Sequence, residues 1–148
     1  MAKAFEFRLE KLLEVRRAKE EAAQRELARA RQAVEVRNAV ILGLMDREDD
    51  AKSDLRALQQ AGAVDLERLR MSADFVVAVE RQLRREYDAL QRLVQVEMEK
   101  RESLTQARKD LRVLERHREQ ELRLYRQDLD RQERKFLDEI GGNLAKGA

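Results

Sequence analysis

The sequence predicts an all-α protein, two long helices forming an antiparallel coiled-coil hairpin. Three observations lead there. Charged residues make up 42% of the 148 residues, yet hydrophobic residues still reach 43%. That mixture, dominated by Ala, Glu, Lys, Leu and Arg, is the composition of long helices and coiled coils. Proline is absent, glycine occurs five times and aromatics amount to 4%. The chain therefore has few helix breakers and too few large rings for a thick core. Finally, apolar residues recur at heptad spacing on both sides of one breaker-containing stretch, Gln59-Gln60-Ala61-Gly62-Ala63-Val64-Asp65.

Helix one is expected from about residue 4 to about 59. With Leu13 at heptad position a and Leu9 at d, the a positions carry Leu13, Glu20, Leu27, Val34, Ile41, Glu48 and Leu55. The d positions carry Leu9, Arg16, Ala23, Ala30, Arg37, Leu44, Ala51 and Leu58. Eleven of these fifteen are apolar, enough for a coiled-coil seam. Gly43 weakens this helix by about 1 kcal/mol relative to alanine without ending it. The turn is expected at about 60–65. Asp65 caps one possible helix start and Ser72 or Asp74 another, so a short separate helix over 65–71 is an alternative. Helix two then runs from about 72 to about 140. Its seam reads Val76, Val79, Leu83, Leu90, Leu93, Leu104, Ala107, Leu111 and Leu114, interrupted by Glu86, Glu97 and Lys100. After a stutter near Arg118 the apolar positions are Leu122, Tyr125, Leu129, Phe136 and Ile140. Gly141-Gly142 is expected to end this helix, leaving 141–148 as a frayed tail, and the whole chain reads as a single coiled-coil domain.

Helices of this length joined by a short connection lie antiparallel. Fifty-odd residues at 1.5 Å each make roughly 75–85 Å. Folding at Gly62 uses up helix one near residue 125 of helix two, or near 130 with a longer turn. Leu129, Phe136 and Ile140 then lie on a helix end with no partner in the chain, and such an apolar stripe calls for another protein.

Composition and spacing exclude several function classes. There is no cysteine and a single histidine, His117, so neither a thiolate site nor a multi-histidine zinc site is available in one chain. No glycine-rich phosphate cradle is present. Ser53, Ser72, Ser103 and Thr105 lack neighbouring histidines, and a thin coiled coil offers no pocket to tune paired carboxylates. The expectation is a protein that is not an enzyme, with no catalytic, cofactor or metal site and no small-molecule substrate. The longest apolar run, Ala39 to Met45, is far shorter than the ~20 residues that cross a bilayer. The N-terminus carries charge from Lys3 onward with no signal-like apolar core. The expected location is the cytoplasm.

Net charge is only +2, from 32 basic and 30 acidic residues. Its distribution is uneven: residues 1–37 and 100–148 hold 23 basic and 17 acidic residues, whereas residues 38–99 hold 9 and 13. Acid-interleaved basic residues over 108–126, without aromatic stacking, do not suit nucleic acid. The asymmetry points to different partners at the two ends, with electrostatic steering at the basic one.

The opening Phe5-Glu-Phe-Arg-Leu-Glu-Lys-Leu-Leu-Glu-Val-Arg-Arg-Ala-Lys-Glu-Glu-Ala-Ala resembles that of the FliJ family, small soluble proteins of the bacterial flagellar type III export apparatus. The aromatic pair before Leu9, the Leu12-Leu13 doublet, the turn near Gly62 and Phe75-x-x-x-Val79 carry the resemblance, which covers nearly the whole chain. It implies a hairpin like the central stalk of rotary ATPases, seated in the ring of the export ATPase (FliI) and promoting its assembly. It also implies contact with the export gate protein (FlhA) and with free export chaperones, at the cytoplasmic face of the export apparatus. Membrane association would then be at most peripheral, through partners. The implied ring contact comprises Phe5, Phe7, Leu122, Tyr125, Arg126, Leu129 and Phe136; the alternative for Phe5 and Phe7 is a staple of helix one onto helix two, and for Phe75 and Val79 a place in the seam. The family's gate surface reads Phe-x-x-x-Leu-x-x-Ala-x-x-x-His. Here Phe75 matches, Val79 replaces leucine, and Gln82 and Glu86 stand where alanine and histidine would be. The competing readings are a homotypic structural coiled coil and a nucleic-acid-binding coiled coil.

Overall fold

A computed structural model describes residues 3–63 and 65–147. Two helices account for nearly all of it: α1, Glu10–Gln60, and α2, Leu66–Lys146. They pack against each other as an antiparallel hairpin, the all-α class the heptads predict. The turn falls at 61–65, of which Val64 lies outside the described residues. The chain groups into two compact units, Ala23–Ser103 and Met1–Ala22 with Leu104–Ala148.

In the unit Ala23–Ser103 the seam is an apolar cluster of Ile41, Leu44, Val79 and Leu83, with Leu90 packed against it. Leu27, Ala51 and Val76 are buried as well. Each large apolar side chain taken fully out of water contributes about 1.5–3 kcal/mol. The polar residues that interrupt the heptads are paired, most of them across the seam. Arg37 bonds Glu86, Arg31 lies 3.7 Å from Glu97 and Lys100 lies 3.1 Å from Glu26. Lys52 reaches Glu48 on its own helix at 2.7 Å and Glu80 on α2 at 3.6 Å. The hydrogen bond to Glu48, reinforced by the charges of both carboxylates, raises the Lys52 pKa above the ordinary lysine value. Such part-exposed pairs add little stability, because water and salt screen them. Their larger effect is on register, because a slipped hairpin would set these charges against apolar neighbours.

α2 starts at Leu66 and runs through 72–74 without a break, which corrects the expected start at about 72 and removes the separate helix at 65–71. Asp65 explains the start. Its Oδ1 accepts from the amides of Glu67 at 3.1 Å and Arg68 at 3.4 Å, and its carbonyl accepts from Leu69. Those are the donors that the first turn leaves unpaired, and no breaker follows. The far end differs too: Gly141-Gly142 lies inside α2, which continues to Lys146. Neither glycine takes a positive φ, so neither forms the left-handed cap that ends a helix. Glycine here only weakens the helix.

In the other unit α1 begins at Glu10, not near residue 4. Residues 3–7 are irregular, and a turn at 8–9 leads into the helix through a bond from the Glu10 amide to the Phe7 carbonyl, 3.1 Å. The reason lies in the spacing Phe5-x-Phe7-x-Leu9. Off the helix, all three apolar groups reach the cluster that holds Leu13, Leu111 and Leu114. A helix would turn Phe5 and Phe7 well apart. Phe7, Leu13 and Leu114 form the cluster here, with Phe5, Leu9 and Leu111 against it. Leu13 is 0% exposed. Glu10 to Arg118, 3.0 Å, and Glu20 to Arg108, 3.3 Å, set the antiparallel register.

Candidate functional site at the chain ends

α1 starts opposite Arg118, the partner of its first residue, Glu10. Beyond that point the segment 3–9 replaces α1 as the neighbour of α2. The Phe7 ring meets His117 edge-on, with centroids 5.6 Å apart. Phe5 packs at a tilt on Tyr125, centroids again 5.6 Å apart, and the Arg118 guanidinium lies 5.5 Å over the Phe5 ring. This is cation–π distance. The Tyr125 hydroxyl donates to the Lys3 carbonyl. His117 adds an i,i+4 contact to Glu121 at 3.2 Å.

Past Tyr125 this cover stops. Leu129 is half-buried, and every residue from 130 to 147 is exposed. Phe136, Leu137 and Leu144 are 62%, 59% and 71% exposed, and Ile140 joins them. At spacings of three and four residues they share a face of α2. Charged residues flank it, with Arg131, Arg134 and Lys135 beside Asp130, Glu133, Asp138 and Glu139.

The residues expected at a ring contact therefore divide. Phe5, Phe7 and Tyr125 come together at the end of the hairpin. Leu122 and Tyr125 are half-buried, and Arg126 and Phe136 are exposed on α2. Phe7 is buried in the seam against Leu13 and Leu114, as a side chain stapling the two helices together would be.

In the unit Ala23–Ser103 the two residues expected at a gate contact also separate. Phe75 is half-exposed, whereas Val79, 3% exposed, packs on Ile41, Leu44 and Leu83. Val79 supports the helix from beneath and is not available as surface. Glu86, which departs from the family pattern, is engaged by Arg37. Sequence reasoning missed the exposed Met71, which with Asp54, Ala57, Leu58 and Arg68 lines a cleft near the turn. Its spacing of four from Phe75 was the available signal.

Among the described residues no polar or charged side chain is buried and no cluster of three or more His, Asp or Glu is placed to hold a metal ion. No helix among them is long and apolar enough to cross a membrane. What the geometry presents is helix surface: an uncovered apolar and charged end of α2, and a second apolar patch near the turn. Fold and surface together define a two-helix coiled-coil protein with uncovered apolar helix surface.

The chain belongs to the flagellar FliJ protein family, whose model matches residues 5–147. Among solved structures, CT670 from Chlamydia trachomatis, described as a YscO homologue, is similar over 97% of this chain and 96% of its own, with a TM-score of 0.61. Sequence identity is 17%, so that likeness bears on the fold alone. No curated protein matches at a significant level.

Proposed function

We propose that this chain is a non-enzymatic stalk and adaptor of the flagellar type III export apparatus. Family membership carries the coarser statement, a component of type III export. The observation that supports the finer one is the uncovered end of α2, where residues 130–147 are exposed and still carry Phe136, Leu137, Ile140 and Leu144. A helix end that reaches past its partner can enter the bore of a ring. Leu122, Tyr125, Arg126, Leu129 and Phe136 form the proposed contact with the export ATPase. Phe5 and Phe7, expected to share in it, are engaged by α2 instead. The mechanism is allosteric: an asymmetric helix end meets ring subunits unequally and biases their nucleotide states through its differential affinity for them. Phe75 and Met71, exposed near the turn, form the proposed gate contact, with Val79 holding their helix in place. Chaperone exchange belongs to the same adaptor role, in the cytoplasm beside the export gate.

Pull-down with purified export ATPase tests the reading. The double substitution Leu129→Ser, Phe136→Ser should lose the ATPase while keeping its helical spectrum. Undiminished capture by this variant would overturn the proposed contact. The homotypic alternative predicts self-association through the same stripe, which light scattering over a concentration series detects.

A further inference from the structure

Residues 3–9 are held to α2 mainly by side chains: Phe7 meets Leu114 and His117 beside the start of α1, and the contacts of Tyr125 with Phe5 and Lys3 lie where α1 has run out. The backbone bond between Glu10 and the Phe7 carbonyl anchors the segment beside α1. Phe7 is seated in the seam. Toward the free end the hold consists of the Phe5 ring between Tyr125 and Arg118 and the Tyr125 hydroxyl on the Lys3 carbonyl. A short irregular segment with few backbone hydrogen bonds opens at lower free energy than a helix seam. What it covers is continuous with the exposed stripe: Tyr125 lies one turn before Leu129 on the same face of α2.

We propose that residues 3–9 are a detachable strap, an intrachain cover on α2 around Arg118 and Tyr125 that a docking partner must displace to use the full stripe through Leu129 and Phe136. The proposal rests on the reading that this end of α2 docks the export ATPase. Phe5 then opposes binding. It holds the strap shut, and the apparent affinity falls by the fraction of chains in which the strap is open. This reverses the sign expected if Phe5 were itself a ring contact.

The experiment uses the full chain carrying Tyr87→Phe. With no tryptophan and two tyrosines in the sequence, Tyr125 is then the sole strong fluorophore. Adding Phe5→Ala should raise acrylamide quenching of Tyr125 about twofold as the strap opens locally, with unchanged helical circular dichroism. The same substitution should tighten binding to purified export ATPase about threefold to tenfold. Deletion of residues 3–6 should act in the same direction. Unchanged quenching overturns the strap, and so does unchanged or weaker ATPase binding by Phe5→Ala. If the parent chain itself fails to bind the ATPase, the docking reading falls, and the quenching measurement alone then decides whether the strap exists.

Discussion

Leu13→Ala should be among the most damaging single truncations in the hairpin. Leu13 is 0% exposed and packs with Phe7 and Leu114 where the two helices and the strap meet. Leucine-to-alanine changes in filled cores cost about 2–5 kcal/mol, the spread reflecting how far the site collapses into the cavity. Here one wall is Phe7, which lies outside both helices and is free of their backbone constraint, so partial collapse onto the cavity is expected and the loss is about 2–3 kcal/mol. For a chain of this size that lowers the melting temperature by about 4–12 °C. Leu144→Ala is the matched control. Leu144 is 71% exposed on the uncovered end of α2, and its truncation should change stability by less than about 0.5 kcal/mol. Thermal and urea unfolding followed at 222 nm measures both, with the urea slope unchanged. A loss below about 2 kcal/mol for Leu13→Ala, the low side of measured leucine-to-alanine core truncations, would refute the packing argument. So would a loss for Leu144→Ala equal to it.

Two further perturbations probe what aligns the helices and what lies beyond them. In a double-mutant cycle on Arg37 and Glu86, each single alanine substitution should destabilise, with a coupling of about 0.5–1 kcal/mol that weakens as salt is added; a zero coupling removes the pair from the account of register. A chain ending at Gln127 should lose about a seventh of its helical signal, since that share of the helical residues lies beyond it. Its melting temperature should stay within about 2 °C, because residues 130–147 are exposed. A collapse of stability would show that this segment has a partner within the chain.

The seam was legible because the heptad writes burial directly into spacing: Leu13, Leu27, Ile41, Leu44, Val79, Leu83 and Leu114 were all placed there and all are buried. The uncovered end followed from unequal helix lengths. Asp65 was a legible cap, but sequence alone did not choose between it and Ser72 or Asp74, since all three can bond amides of a first turn. The pairing of Arg37 with Glu86 was not legible, because it depends on register between residues far apart in the chain. At the N-terminus two patterns competed. Leu9, Leu12 and Leu13 read as helix, and Phe5-x-Phe7-x-Leu9 reads as an extended segment. The structure keeps residues 3–9 out of the helix, and there both rings reach α2.

The most direct test of the central claim is the hydrolysis rate of purified export ATPase with and without this chain. A higher rate and more assembled rings are expected with the full chain, and neither with the chain that ends at Gln127. An unchanged rate and unchanged assembly with the full chain, or equal stimulation by the shortened one, would contradict it.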